Sequence, residues 1–443
     1  GESFFEQYPS NDITEGNFYK TDDDFNQGVV ACYAKLKTQM SFHLTEIGYR
    51  GDENVLESMA VSTQNRYDID HFAETANNGI LNDIWNAWYN GIYRCNDVLD
   101  HMTGAKIANY DKYRGECLFL RSWWYFNLYR VFGVVPITRT VVTPAAAKLI
   151  PRCTEEEMYT LLTEDLAEAA RLLPPTPGPE KARVANIAAY TLLAKVYLTF
   201  GKPAEAKTAL EEAMKNTSYG LESTTKKVFD VGNKMNREII FALYYNKTND
   251  NGHGYWYSAN TDVLADINNP TPTFKAIYDS EKDNRLPLIS SYTKIKDNLF
   301  AMTKWYDTYD ATYTTQVGND FPHLRYADVV LMYAEALAES GGSLGDALEW
   351  LNKTRTRAGL DELTTDEVKS LAEFRRELAA ERGREFALEG HRWFDLVRLG
   401  LAVDYFREMG YSLDSHNLIF PIPQNQIEIV NNPSILWQNP GFN

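Results

Sequence analysis

The stretch at residues 185–216 reads ANIAAYTLLAKVYLTFGKPAEAKTALEEAMKN, and the stretch at 324–360 reads LRYADVVLMYAEALAESGGSLGDALEWLNKTRTRAGL. Each has a first helix that contains Tyr and Ala, then a Gly turn, then a second helix with Ala-Leu steps. Small residues let two helices pack closely, and this repeated order resembles tetratricopeptide-type helix pairs. A long interval separates the two copies, which predicts helix pairs brought together in space and not a tandem solenoid.

Further segments also predict helices. Apolar residues recur on one face of 82–102, and 113–136 continues as a helix until a Gly/Pro stop. A capping box, in which Thr154 is followed three residues later by a Glu, opens another helix. Helical spacing predicts that four tryptophans are core residues: Trp85, Trp88, Trp123 and Trp124. The stretch REIIFALYYN at 237–246 predicts a strand.

Composition argues against several classes of protein. The chain has 443 residues, of which 44% are hydrophobic and 13% aromatic, so it can bury a large core. A formal net charge of -17 repels phosphate backbones and anionic membrane surfaces, which argues against nucleic acid as a partner. Neither a membrane-spanning apolar run nor a signal h-region occurs, so we expect a soluble or processed ectodomain with any anchor upstream of Gly1.

Motifs for metal, redox and nucleotide chemistry do not occur in the sequence. The cysteines form no CxxC motif, and we expect buried free thiols, with one disulfide as the alternative. The histidines show no HExxH spacing, and there is no Walker A, GxGxxG or GxSxG motif. The sequence therefore predicts no cofactor and no metal. The cysteines are Cys32, Cys95, Cys117 and Cys153.

The segment 375–400, RRELAAERGREFALEGHRWFDLVRLG, raises the question of catalysis. Four glutamates at four-residue steps share one helix face: Glu377, Glu381, Glu385 and Glu389. Paired carboxylates do acid and base chemistry in glycosidases, but these alternate with arginines, as in Glu381 with Arg384 and Glu389 with Arg392. Guanidinium groups keep carboxylates ionised and remove the raised-pKa acid that a glycosidase needs. The segment is interpreted as scaffold, and no catalytic residue is predicted.

Four segments, in this order, resemble the signature segments of the SusD/RagB family. They are YRGECLFLRSWWYFNLYRVFGVVPI (113–137), LRYADVVLMYAEALAE (324–339), ERGREFALEGHRWFDLVRLG (381–400) and IFPIPQNQIEIVNNPSILWQNPGF (419–442). The resemblance spans essentially the whole chain. It implies a mainly α fold, in which tetratricopeptide-like helix pairs form an α-superhelical scaffold under a loop-rich, few-stranded ligand-binding face.

The resemblance also implies the domain organisation. We expect a single SusD-like domain over 1–443. Its helix-pair scaffold covers approximately 22–216 and 323–400, a loop-rich insertion covers approximately 217–322, and a C-terminal segment covers 401–443.

For function, the resemblance implies a non-catalytic lipoprotein on the extracellular face of the outer membrane of Bacteroidetes. Such a protein captures oligosaccharides and delivers them to a SusC-like TonB-dependent transporter. The lipidated N-terminal Cys of the family is not in this sequence, so the anchor is inferred. Two alternatives stay open: an (α/α)-barrel glycoside hydrolase, which is also helical, acidic and aromatic-rich, and a RagB-like peptide-binding uptake protein.

Carbohydrate sites combine aromatic rings, which pack on pyranose faces, with polar groups that bind hydroxyls. Three stretches fit this combination, and family members draw ligand contacts from the region of the first. The predicted ligand-binding residues are Asn65, Arg66, Tyr67, Asp68 and Phe72, then Tyr255, Trp256 and Tyr257, and finally Trp305, Tyr306 and Tyr309. Trp256 is the leading candidate for ring stacking. The alternatives are core packing for Tyr67 and Phe72 and an inward-facing strand position for Trp305.

Overall fold

The computed structural model describes residues 18–39, 47–48, 50–52, 64–246, 258–259, 270–296, 299–307 and 318–443. The helices before the first strand are α1 (Asp22–Gln39), α2 (Gln64–Asp70), α3 (Gly79–Met102), α4 (Tyr110–Phe132), α5 (Pro144–Ala147), α6 (Glu155–Leu172), α7 (Asn186–Thr199), α8 (Pro203–Met214) and α9 (Thr225–Val228). The later helices are α10 (Pro272–Lys275), α11 (Leu286–Ser290), α12 (Tyr326–Glu339), α13 (Leu344–Arg357), α14 (Leu371–Glu385), α15 (Arg392–Arg398), α16 (Ala402–Glu408) and α17 (Gln424–Val430). The strands are β1 (Ile239–Leu243), β2 (Ser258–Ala259), β3 (Tyr292–Lys296), β4 (Leu299–Met302) and β5 (Phe321–Arg325).

Both predicted helix pairs are confirmed. The turn between α7 and α8 contains Gly201 at a φ of 72°, a left-handed conformation that glycine adopts without strain, and α8 then begins with Pro203. The turn between α12 and α13 uses Gly341 at a φ of 85°, and Ser343 caps α13. Helix α12 packs against α7 and α8, so the two pairs meet in space although they are far apart in the chain.

The core lies between the antiparallel helices α3 and α4 and their neighbours. The four tryptophans predicted to be core residues are buried, and the four cysteines are buried free thiols. Gly91 on α3 lets the Trp124 ring of α4 pack directly against the α3 backbone, because a Cβ atom at position 91 would lie 2.2 Å from Cε2 of Trp124. The packing of the Trp124 ring against α3 therefore requires a glycine at this position.

Two small sheets complete the fold. The predicted strand at 237–246 is confirmed as β1, which pairs antiparallel with β5 with bulged register, from Ile239 opposite Arg325 to Leu243 opposite Phe321. Strand β5 leads directly into α12. The second sheet has the order β2-β4-β3. Of the helices in the described ranges, none combines the length and apolar character needed to cross a lipid bilayer.

Candidate functional site

Three of the four glutamates that raised the question of catalysis lie in the interior, and Glu377 is half-buried. Glu381, Glu385 and Glu389 are at most 2% exposed. Helix α14 ends at Glu385, so the prediction that Glu389 continues the same helix face is wrong. The chain turns after Phe386, and Glu389 reaches the cluster from outside the helix.

Glu381, Glu385 and Glu389 form a buried ionic cluster with the arginine and lysine side chains around them, and Glu385 is at its centre. Its carboxylate accepts hydrogen bonds from Arg325 and Arg357 at 2.8 Å and from Arg285 at 3.1 Å, and also from the hydroxyl of Thr225. Burial by itself would raise the pKa of Glu385, but the three guanidinium groups hold this pKa well below its ordinary value. The carboxylate therefore stays ionised and cannot act as a general acid near neutral pH.

The neighbouring glutamates are neutralised in the same way. The predicted pair of Glu381 with Arg384 is confirmed at 3.1 Å, and Arg285 also binds Glu381 at 2.7 Å. The predicted pair of Glu389 with Arg392 is wrong. Glu389 instead accepts hydrogen bonds from Arg325 at 2.8 Å and from Lys304 at 2.9 Å, because its position beyond α14 turns it toward β5.

A pair of stacked rings lies at the surface on and just after α2. The rings of Tyr67 and His71 have centroids 3.9 Å apart and an interplanar angle of 18°. Both residues are partly exposed, and the imidazole Nδ1 lies 2.8 Å from the carbonyl oxygen of Tyr67. We call this ring pair the Tyr67 platform. The hydrogen bond to the Tyr67 carbonyl fixes the orientation of the His71 ring. A ligand therefore does not have to order that ring when it binds.

Phe72, the residue after His71, lies in the core beneath the end of α2. It adopts a φ of 59°, which ends α2 and turns its ring into the core, where it contacts Trp393, Phe406 and Tyr411 with centroids 5.3 to 5.6 Å away. The guanidinium of Arg50 covers the ring at 4.3 Å. Phe72 is 7% exposed, which favours the core alternative over the predicted ligand contact.

Three polar residues predicted for the site share α2 with Tyr67. Asn65 is exposed, and Arg66 and Asp68 are half-buried. The backbone carbonyl of Asn65 accepts a hydrogen bond from the side chain of Asn78, which also caps α3. This bond ties the short helix to the scaffold, so rings and polar groups are presented together by a fixed element.

Two aromatic residues at this surface were missed by the sequence reasoning. His71 follows Tyr67 by four residues, a spacing that brings side chains together on a helix and that could have found it. Tyr411 lies far away in the sequence, yet its ring centroid is 6.0 Å from that of His71 and its hydroxyl donates to the carbonyl of Gly51 at 2.8 Å. No local pattern signals such a contact.

The third predicted stretch divides into different environments. Trp305 is 1% exposed and packs against Phe229 and Phe321, which favours the inward-facing alternative over the predicted ligand contact. Tyr306, the next residue, is half-buried and stays a candidate. Four further predicted ligand residues lie outside the described residues: Tyr255, Trp256, Tyr257 and Tyr309.

An apolar pocket of about 370 Å³ lies between α1 and β1. Val30, Leu36 and Leu243 line it, together with Tyr244, which is 45% exposed. Tyr244 was missed as a surface residue because it continues the apolar run of a buried strand. The pocket offers apolar area and few polar groups, a lining that suits an apolar group better than a sugar.

Two family models and a full-length relative match this chain. A model of the SusD family matches residues 284–442, and a model described as starch-binding associating with outer membrane matches residues 6–198. The SusD-like protein P2 of Formosa agariphila is 26% identical over an alignment that covers 100% of this chain and 97% of that protein. The chain belongs to the SusD/RagB family.

Solved structures agree with the SusD fold of this chain. A SusD-like protein from Bacteroides fragilis superimposes with a TM-score of 0.82 at 21% identity, covering 98% of this chain and 99% of that one. Surface glycan-binding protein A from Bacteroides thetaiotaomicron, solved in complex with laminarihexaose, superimposes with a TM-score of 0.78 at 21% identity, covering 95% and 100%. The predicted mainly α, tetratricopeptide-like fold is thereby confirmed.

Proposed function

We propose that this protein binds glycans at the outer membrane, and that the Tyr67 platform is part of its binding face. The observation that carries the proposal is the fixed, partly exposed ring pair of Tyr67 and His71 beside Asn65, Arg66 and Asp68. The C–H face of a pyranose packs on such rings, and amide, guanidinium and carboxylate groups bind the hydroxyls at its edge.

The names of related proteins support the same class of ligand. One matching family model is described as starch-binding, and one structural neighbour is a surface glycan-binding protein in complex with laminarihexaose. Both names concern chains of glucose units. We therefore test malto- and laminari-oligosaccharides first.

The proposed role includes delivery of the bound oligosaccharide to a SusC-like TonB-dependent transporter, from a lipid-anchored position on the extracellular face. The family description of outer-membrane association supports the location. We propose no catalysis, because the relatives are named for binding and because Glu381, Glu385 and Glu389 are buried and bound to cationic side chains. We keep Tyr306, and the predicted Tyr255, Trp256, Tyr257 and Tyr309, as proposed further contacts.

The test is a glycan array followed by calorimetry on the glycan that binds. We expect the double variant Tyr67→Ala with His71→Ala to lose most of the affinity while it keeps the unfolding midpoint, because both rings are at the surface. An assay for released reducing sugar runs in parallel. Turnover of the glycan would contradict the non-catalytic role, and unchanged affinity in the double variant would contradict the site.

Peptide uptake is the second candidate function, and the apolar pocket between α1 and β1 favours it. Its apolar lining, with Val30 and Tyr244 exposed at the rim, suits a hydrophobic side chain of a peptide. A peptide library screened with wild type and Tyr244→Ala separates the two functions. Peptide binding that Tyr244→Ala abolishes, together with an array free of glycan hits, would favour the peptide role.

A further inference from the structure

We propose that Trp437 is a second ring-stacking position for the glycan, separate from the Tyr67 platform. This inference rests on the proposed glycan-binding function and extends it to the length of chain that is recognised. Trp437 is 40% exposed, unlike Trp305 and the four core tryptophans, which are all buried. An exposed indole offers the largest flat apolar face that a protein can present to a sugar ring.

A buried arginine holds the indole of Trp437 in a fixed orientation. The guanidinium of Arg152 lies over the indole ring, 5.0 Å from its centroid, and also donates to the carbonyl of Trp437 at 2.9 Å. Cation–π contact of this kind stabilises the ring, and Trp437 still keeps 40% of its surface exposed.

Arg152 is itself immobilised by hydrogen bonds. It donates to the carbonyl of Val134 at 2.7 Å, to the carbonyl of Phe132 at 3.3 Å and to the side-chain oxygen of Asn439 at 2.7 Å. Because the last residue of α4, Phe132, and Val134 just beyond it supply two of these acceptors, the stacked pair is tied to the rigid scaffold. A ring fixed in this way loses little conformational entropy when a ligand binds.

Exposed polar residues precede Trp437 in the sequence NNPSILW. Asn431, Asn432 and Ser434 are exposed, and a turn forms where the backbone N–H groups of Ile435 and Leu436 bond to the carbonyl of Asn432. Amide and hydroxyl groups beside an exposed indole are the combination that binds the faces and hydroxyls of sugars. A purely apolar docking patch would lack them.

The contacts of the C-terminal segment place Trp437 at the same end of the α3–α4 pair as the Tyr67 platform. Asn78, which caps the start of α3, binds Asn65 on α2. Near that start, the side chain of Gln426 donates to Asn82 and Asn86 of α3 at 3.1 Å. The antiparallel α4 ends there with Phe132, whose carbonyl binds Arg152.

Two ring positions at one end of the scaffold predict that affinity depends on chain length. A short oligosaccharide occupies the Tyr67 platform alone, whereas a longer one reaches both positions. The second contact is then intramolecular, so it increases affinity without a second encounter. A SusD-like binder built in this way selects glycans long enough to span the two rings.

The test uses calorimetry to measure the affinity for the disaccharide and for the hexasaccharide of the glycan that the array identifies. The malto- and laminari-series are tested first. We expect Trp437→Ala to lower hexasaccharide affinity by about three- to tenfold and to leave disaccharide affinity unchanged. Trp437→Phe should recover part of the loss. Leu149→Ala, at a residue that is 72% exposed, is the matched surface control and should change neither value.

Each other outcome overturns the inference, and the last one also overturns the proposed function. If Trp437→Ala binds both lengths as wild type does, the second position is overturned while the Tyr67 platform stands. If Trp437→Ala leaves glycan binding intact but weakens co-purification with the TonB-dependent transporter, the indole is a protein contact and the inference is also overturned. If the array finds no glycan at all, the proposed function fails and the inference fails with it.

Discussion

The cluster around Glu385 buries charged side chains, whereas the surface around Tyr67 exposes aromatic rings. In the cluster, Glu381, Glu385 and Glu389 are removed from water and bound by arginine and lysine side chains. At the surface, Tyr67 and His71 stack on each other and are only partly buried.

The difference shows that residue type alone is a poor guide to a binding site. A carboxylate that is surrounded by guanidinium groups is part of the scaffold, because its charge is already neutralised and its protonation is suppressed. A tyrosine that is half-buried can both pack and bind. Burial and existing partners decide which side chains stay available to a ligand.

The largest effect that we expect distinguishes a buried ring from an exposed one. Trp305→Ala removes a ring that packs against Phe229 and Phe321 and should cost about 3 to 5 kcal/mol of unfolding free energy through the cavity it leaves. Trp437→Ala, at an exposed ring, should cost less than about 1 kcal/mol. Urea unfolding measures both. A stable Trp305→Ala protein with lost glycan affinity would reverse our assignment of Trp305 to the core.

The second prediction concerns the centre of the buried cluster. Glu385→Gln removes the charge that faces Arg285, Arg325 and Arg357 and should cost about 3 kcal/mol, because the cations stay buried with too little compensation. Glu377→Gln on the same helix is the control and should cost less than about 1 kcal/mol. Glycan affinity of the folded fraction should stay within about threefold, since the sites are separate. Normal stability with altered affinity would contradict the scaffold role.

The third prediction uses acid to weaken the buried ion pairs. Burial acts to raise the pKa of Asp395, but Arg382 and Arg398 outweigh it and lower the pKa from 3.8 to about 2. Because the folded-state value lies below the unfolded one, this stabilisation is fully present above about pH 4 and is lost as the pH falls toward about 2. The shift corresponds to about 2 kcal/mol. Wild type should therefore lose stability more steeply than Asp395→Asn between those values, as followed by urea unfolding. Parallel curves would show that Asp395 does not carry this effect.

The smallest expected effect concerns the Tyr67 platform by itself. Tyr67→Ala should lower glycan affinity about tenfold, through lost apolar area and ring-face geometry, and should hardly change the unfolding midpoint. Tyr159→Ala is the control, because that ring is also half-buried but packs against Phe200 on the helical scaffold. Calorimetry on the same glycan compares them. Equal affinity of the two variants would remove the platform from the binding face.

The sequence by itself determined the helical scaffold. The helix pairs followed from Gly turns, small residues and the spacing of apolar side chains, and the capping box at Thr154 is present as predicted. The burial of Trp85, Trp88, Trp123 and Trp124 followed from their positions on helices. These features depend on residues that are close in the chain, so local periodicity is sufficient to predict them.

Only the tertiary structure decided which candidate residues are available to a ligand. Trp305 and Phe72 were predicted as contacts from their residue types, but segments distant in sequence cover both rings. For the same reason Glu389 binds Arg325 and not Arg392, and Tyr411 joins His71. Local spacing carries no information about which distant segment packs against a side chain. That packing determines whether a ring supports the fold or remains open to a glycan.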